Sequence, residues 1–330
     1  MPDNSTKNVL ITGANGYIGR EMIAKICLDP APFGNVIALD VKELPAEDQR
    51  TGIEYCIEDI RSPEIETLLR SREIDTVVHL AAIVSPQPHH TREFLHSVEV
   101  QGTENILKAS IAAGVKKIII TSSGAAYGYH ADNPEWLKES DQLRGNVEFP
   151  YSDHKRQVEE MLADYRQRNP ELKQLIFRPG TVLGANVNNQ ITNLFDQKVV
   201  FGLSGASSPF VFIWDQDVVN CIWEGVLTDK AGIFNLAGDG TLGMKELAGM
   251  LKKPFLPIPV FLVTLGLTVL SKLGLTRYGP EQVNFLRYRP VLSNTNLKDV
   301  FGYTPQKSSQ EVFEYYLANR NTGKSPLTEI

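Results

Sequence analysis

The chain is expected to fold as an α/β protein. A Rossmann-type doubly wound parallel sheet should occupy residues 1–180, with a smaller substrate lobe over 181–330 that sends some segments back to the sheet core. Three observations carry that expectation. From Asn8 to Phe177, apolar β-rich runs alternate with segments of helical period. The first run leads straight into Thr12-Gly13-Ala14-Asn15-Gly16-Tyr17-Ile18-Gly19. The chain's 330 residues, 42% of them hydrophobic, are enough for a core of that size.

The elements follow in order. Val9-Leu10-Ile11 marks a strand over 8–12, and the period from Tyr17 to Leu28 marks a helix. Between them Gly13 permits a sharp turn, Gly16 lets backbone N–H groups approach a pyrophosphate, and Gly19 lets helix pack closely on strand. A diphosphate would then rest on the helix N-terminus, beside Tyr17 and Ile18, where free N–H groups and the helix dipole favour an anion. A second strand, 35–40, ends at Asp40, about 20 residues past the last glycine. A carboxylate there accepts from a ribose 2′-hydroxyl and repels a 2′-phosphate, so NAD is favoured over NADP. Strands at 75–81, 117–122 and 173–177 and helices at 63–70, 91–113 and 151–168 complete the alternation. Ligands on such a sheet bind beyond the carboxyl ends of its strands, so the Gly13 turn, Asp40, Ala81-Ala82 and Ser122-Ser123 should line one crevice.

Tyr151 and Lys155 lie four apart at the start of a helical segment and therefore project from one face. An ammonium beside a phenol favours the phenolate, which can exchange a proton with a substrate hydroxyl. The spacing alone is common on solvated helix faces; its company with the glycine turn makes it a candidate for alcohol oxidation. Ser123, at the end of the Ile118-Ile119-Ile120 strand, is placed to hold the substrate oxygen near Tyr151.

At this point the chain resembles the extended short-chain dehydrogenases/reductases, the NAD-dependent epimerase/dehydratase family. The likeness rests on Thr12-Gly13-x-x-Gly16-x-x-Gly19, Asp40, Asp59-Ile60, His79-Leu80-Ala81-Ala82, Gly102-Thr103, Ser122-Ser123-x-x-x-Tyr127-Gly128, Tyr151-x-x-x-Lys155 and Arg178-Pro179. It implies that Tyr151 is the acid/base, that Lys155 also holds the nicotinamide ribose, and that Ser123 orients the substrate oxygen. It further implies that Asp59 and Ile60 meet the adenine, that Leu80, Ala81 and Ala82 pass beside the cofactor, and that the chain forms a homodimer through helices 91–113 and 151–168.

Two positions depart from the family pattern. Glu99 stands where relatives usually carry Asn, and Phe210 stands where nucleotide-sugar enzymes typically place a diphosphate-gripping Arg shortly before the aspartate matched by Asp217. An aromatic ring cannot replace a bidentate phosphate donor, although Arg287 or Arg289 could supply one contact. The apolar run Val260–Leu270 is similar to the C-terminal part of relatives that handle hydrophobic hydroxy or keto compounds. It is too short to span a bilayer and is expected either to pack as core on most sides or to lid an apolar pocket. A membrane-surface helix is disfavoured here because the run has no polar face.

The remaining features exclude other classes. A net charge of −6 without a basic run argues against nucleic acid as a partner. Cys27, Cys56 and Cys221 are few and far apart, and no metal-ligand spacing is present; His89, His90 and His96 read as substrate-side or surface residues. The N-terminus shows no secretion signal, so a cytoplasmic location is expected, and the tail from Asn321 onward is expected to fray. The leading functional expectation is an NAD-dependent oxidoreductase interconverting a secondary alcohol and a ketone on a largely apolar small molecule. The alternative is a nucleotide-sugar 4-epimerase using the same residues and tightly bound NAD. A non-catalytic NAD-sensing protein is improbable with Ser123, Tyr151 and Lys155 all intact.

Overall fold

The computed structural model describes residues 6–187, 189–206, 209–273, 279 and 282–320. Its frame is a seven-stranded parallel sheet: β1 (Lys7–Thr12), β2 (Phe33–Asp40), β3 (Glu54–Ile57), β4 (Thr76–His79), β5 (Lys117–Thr121), β6 (Lys173–Pro179) and, after three strands outside this sheet, Gly232–Leu236. Those three are β7 (Thr181–Leu183), β8 (Val200–Ser204) and β9 (Phe212–Trp214), which makes the seventh sheet strand β10; β11 (Phe255–Pro259) follows. The sheet order β10-β6-β5-β4-β1-β2-β3 reverses direction between β1 and β4, and a ligand crevice opens at such a switch point.

Each strand feeds two cores by simple alternation. Val9 and Ile11 join one hydrophobic cluster while Leu10 joins the other; in β6, Leu175 and Phe177 face the first and Ile176 the second. The first face is covered by α1 (Tyr17–Leu28) and by a helix from the C-terminal half, Asp215–Leu227. The second face is covered by α2 (Ile65–Ser71), α4 (Gly102–Ala113) and α5 (Pro150–Arg168), with α3 (Arg92–His96) packed on α5. In α1, Gly19, Met22, Ile23 and Ile26 fall at the i, i+3, i+4, i+7 positions that place one stripe on the sheet. The short edge strand β3 was not anticipated, because Glu54-Tyr55-Cys56-Ile57 has no apolar run and is only half buried. The helix expected over 91–113 is interrupted by a π-helical turn, Ser97–Gln101, which joins α3 to α4.

The C-terminal half contains α6 (Gln190–Asp196), α7 (Asp215–Leu227), α8 (Met244–Met250), α9 (Val260–Lys272), α10 (Gln282–Arg287) and α11 (Ser309–Asn319). Its own core is aromatic: Phe195, Phe210, Phe212, Phe313 and Tyr316 pack within 6.4 Å of ring neighbours. Two-stranded parallel pairs, β7 with β9 and β8 with β11, flank it.

The Val260–Leu270 run is a helix, but the expectation that it packs as core is overturned: no residue of α9 is buried. Its main contacts are with β11 and α10, which leave most of its surface uncovered. No helix among the described residues is long and apolar enough to cross a membrane. The tail from Asn321 lies outside the described residues.

Candidate active site

The glycine turn is shaped by close contacts that only glycine allows. Gly13 has φ +68°, and a Cβ there would stand 2.6 Å from the Ala81 nitrogen. A Cβ on Gly19 would meet the Gly13 carbonyl at 2.5 Å, so the first turn of α1 lies directly on the loop. Gly16 caps α1 without a side-chain bond, and no acidic residue occupies the first turn. Tyr17 and Ile18 open the helix, whose N-terminal N–H groups are thus left for an anion.

Asp40, at the end of β2, accepts from Asn15 N at 3.0 Å and from Lys42 N at 3.1 Å, so its carboxylate fixes the turn as well as bordering it. Leaving β4, Leu80 N bonds the Thr12 carbonyl at 3.1 Å and Ala81 N bonds Thr12 Oγ1 at 3.3 Å; Ala82 follows, half buried. Asp59 is held by Arg61 at 2.6 Å, which keeps its carboxyl below the usual range. The Ile60 side chain is 4% exposed and packs under Gly102 in the core. These positions suit NAD: a donor-rich helix end for the diphosphate, a carboxylate at the ribose position and apolar walls.

The catalytic candidates stand on the other side of the switch point. Ser123 caps a 3₁₀ turn, Gly124–Tyr127, by accepting from Ala125 N at 3.1 Å. That turn is docked on α5 by the Ser152 hydroxyl, which donates to the Ala125 carbonyl at 2.7 Å, one residue from Tyr151. Beneath it, Ser122 donates to Glu159 at 2.6 Å, the Arg178 guanidinium forks onto Glu159 at 2.7 Å, and Arg178 donates to the Tyr127 hydroxyl at 2.7 Å. The motif residues Ser122, Tyr127 and Arg178 therefore form one buried, satisfied network that holds the Ser123 turn against the Tyr151 helix.

Lys155 lies below Tyr151, its Nζ 5.7 Å from the ring centroid. It is buried, and its partner is Glu99 at 3.2 Å, also buried. Burial pulls the ammonium down, but Glu99 and Tyr151 outweigh it and hold Lys155 above its ordinary value. Glu99 sits on the π-helical turn and also accepts from Ile83 N at 2.5 Å, so it ties the segment after β4 to the catalytic helix. Behind the pair, His79 is bonded to Thr12 at 2.8 Å and Thr103 at 3.1 Å; burial and Lys155 push it down to about 3, which leaves the imidazole neutral. The departure at position 99 thus places a carboxylate against the lysine.

An aromatic recess with Arg289 against it lies near Tyr151. Tyr129, Phe149 and Phe285 cluster within 6.1 Å, and Arg289 lies 3.6 Å over the Phe210 ring and 5.3 Å from Phe285. Burial raises the Tyr129 hydroxyl, Arg289 opposes that, and Tyr151 is close enough to add to it. Arg289 Nε is shielded from solvent with no hydrogen-bond partner, and burial lowers the guanidinium to about 10. Phe210 is 2% exposed in the aromatic core, so it presents a stacking face to Arg289 and no donor to the cleft. Arg287 lies elsewhere, exposed beside α9. Sequence reasoning did not find Tyr129 or the Arg289–Phe210 stack; pairs so far apart in the chain leave no local signal.

His154, on α5 beside Lys155, packs edge-on against His96 at 5.3 Å. His89, His90 and Phe94 stack on one another, and His96 bonds Gln157 at 3.1 Å. Among the described residues no cluster of three His, Cys, Asp or Glu could hold a metal.

The sequence matches the family model of the NAD dependent epimerase/dehydratase family over residues 9–237. It is 25% identical to an uncharacterized protein of Mycobacterium tuberculosis over 98% of this chain and 86% of that one. It is also 27% identical to the N-acetyl-alpha-D-glucosaminyl-diphospho-ditrans,octacis-undecaprenol 4-epimerase of Escherichia coli O157:H7, over 85% of each. Among solved structures, the UDP-glucose 4-epimerase of Thermotoga maritima with UDP-glucose superposes with a TM-score of 0.72 at 20% identity, covering 94% of this chain and 99% of that one. The UDP-glucose 4-epimerase of Thermus thermophilus with NAD gives 0.71 at 21% identity, covering 96% and 100%. At these identities the structural likeness establishes the shared fold.

Proposed function

The chain belongs to the NAD dependent epimerase/dehydratase family, and from that premise we propose that it inverts a secondary hydroxyl on a diphosphate-linked sugar by transient oxidation. The carrying observation is Arg289: a guanidinium whose Nε is shielded and has no hydrogen-bond partner, stacked on Phe210 and close to Tyr129, which Tyr151 also neighbours. An unpaired cation in an aromatic recess calls for an anionic ligand. The 27% identical relative acts, by its name, on a sugar joined through a diphosphate to undecaprenol, and a substrate of that class would satisfy both the cation and the aromatic walls.

NAD would be held by the Gly13–Gly19 turn, Asp40 and Lys155, and would supply a reversible hydride acceptor for the carbinol carbon. Tyr151 takes the hydroxyl proton as the C–H bond breaks and gives it back on reduction, so no net redox change results. The Lys155 ammonium stands 5.7 Å from the Tyr151 ring, where it can bind and orient, and Glu99 holds that ammonium in place. The Ser123 hydroxyl accepts from Ala125 N and keeps its own proton to donate to the substrate oxygen.

The test is to purify the protein without added nucleotide, quantify released NAD, and assay C4 inversion of glycosyl diphosphates. Retained NAD with inversion and no accumulated NADH is the expected result. Tyr151→Phe should lower turnover about 10³-fold with NAD content unchanged, and Arg289→Ala should raise KM while leaving NAD content alone. A second reading, net oxidation of an apolar secondary alcohol, is supported by Phe210, which leaves a single cation where a gripping pair would be expected. NAD-free protein that turns an apolar alcohol into ketone with stoichiometric NADH would establish it instead.

A further inference from the structure

Helix α9 is apolar on both sides and turns one of them to solvent. Phe261, Leu265, Val269 and Leu273 just beyond its end recur every four residues, flanked by Leu262 and Leu270, and this whole face points to solvent. Phe261 is 67% exposed, Leu265 59% and Leu273 65%. On the half-buried side Val260, Val263 and Leu267 are joined by Thr264 and Thr268, which donate within the helix to the Val260 carbonyl at 3.0 Å and the Thr264 carbonyl at 2.7 Å. A surface helix of a water-soluble protein ordinarily turns a polar face to solvent, and α9 does not. Phe201 and Leu256, 52% and 49% exposed on the adjoining β8–β11 pair, add to the apolar surface.

The charge around this face selects its occupant. From Leu247 to Leu273 the sequence has Lys252, Lys253 and Lys272 and no aspartate or glutamate, in a chain whose net charge is −6. Lys272 closes α9, and Arg287, with Ser204, Thr264 and Thr268, borders an open groove of about 740 Å³ along the helix. Among the described residues neither Lys252, Lys272 nor Arg287 has an acidic partner. At 13 residues, α9 is about 20 Å long, short of the roughly 30 Å hydrocarbon core, so it cannot span.

We propose that α9 lies in the plane of an anionic lipid bilayer, with Phe261, Leu262, Leu265, Val269, Leu270 and Leu273 in the acyl boundary and the surrounding cations against lipid phosphates. Apolar insertion and cationic attraction are the two signals that such interfacial binding combines. Helix α10 then connects the two regions: Phe285 stands in the aromatic recess and Arg287 borders the groove. This membrane contact goes beyond the catalytic reading and does not depend on it.

The test is flotation of the full chain, loaded with NAD, with vesicles of phosphatidylcholine alone or phosphatidylcholine containing phosphatidylglycerol. The protein is expected to float with the anionic vesicles and to be released by salt. Lys272→Ala should weaken partition about fivefold, the equivalent of about 1 kcal/mol per cation near the surface. The double change Phe261→Glu with Leu265→Glu should abolish flotation while NAD binding is retained, which separates loss of docking from loss of fold. Protein that remains in the aqueous fraction with both vesicles overturns the proposal. If light scattering then finds a dimer that the double variant splits, a second copy of the chain covers the face. A failed epimerase assay leaves the flotation result standing, and the reverse holds too.

Discussion

Helices α1 and α9 are nearly equal in length, 12 and 13 residues, and α9 has much the more apolar sequence. Yet α1 buries Gly19, Met22, Ile23 and Ile26, whereas α9 buries nothing. The difference lies in what each helix meets. Helix α1 follows a strand in a βαβ unit and packs back on a wide sheet, so its apolar stripe has a surface waiting. Helix α9 follows β11 of a two-stranded pair and packs mainly on β11 and α10. Hydrophobicity supplies the drive to leave water, and neighbouring structure decides whether the chain can meet it.

The same contrast holds for polar groups. Around the crevice they are turned inward and paired: Lys155 with Glu99, Arg178 with Glu159, His79 with Thr12 and Thr103. Around α9, Lys252, Lys272 and Arg287 have no acidic partner among the described residues, and the apolar side chains face out.

The sharpest way to break the inner arrangement is Glu99→Ala. It leaves the buried Lys155 without its carboxylate, and we expect a loss of about 3–5 kcal/mol in stability, together with weaker NAD binding, read by denaturant unfolding and NAD titration. Glu99→Gln, which keeps an acceptor for Ile83 N, should fall between the two and so separate charge from hydrogen bonding. A next comparison sets Met22→Ala against Leu265→Ala. The first side chain is fully buried and its truncation should cost about 2–5 kcal/mol. The second is 59% exposed and should change stability by less than about 0.5 kcal/mol, despite the greater apolarity of its helix. Equal costs would show that α9 is packed in a way the fold does not contain.

A smaller effect concerns the joint between the cofactor loop and the C-terminal half. The Tyr17 hydroxyl donates to Asp215 at 2.5 Å, linking α1 to α7. Burial, opposed by the Tyr17 bond and reinforced by Glu21, pushes the Asp215 carboxyl up from 3.8 to about 7. Because the folded state then binds the proton more tightly than the unfolded one, this group's contribution is full below about pH 4 and is lost as pH rises toward 7. Asp215→Asn should flatten that part of the pH profile, measured as the difference between the two proteins' unfolding midpoints from pH 4 to 8. A profile identical to the native one would remove Asp215 from this role.

Much of the crevice was legible because it is local. The glycine turn, Asp40 at a strand end and the Tyr151–Lys155 pair each lie within a single strand, turn or helix, and the period-two and 3.6-residue patterns locate those elements. The edge strand β3 and the π-helical turn carry no such pattern: one is four half-exposed residues, the other a one-residue change of winding. The turn nevertheless carries the carboxylate of Glu99 that meets Lys155, 56 positions away in sequence.

The sequence by itself therefore determined the parallel sheet, the family and the residues at its carboxyl edge, because hydrophobic period and short motifs are properties of neighbouring residues. Only the tertiary structure decided that Glu99 pairs with Lys155, that Arg289 rather than Arg287 lies on Phe210 at the recess, and that the most apolar helix stays outside the core. Each of these depends on which distant segments share a surface, a matter of packing that no local window contains.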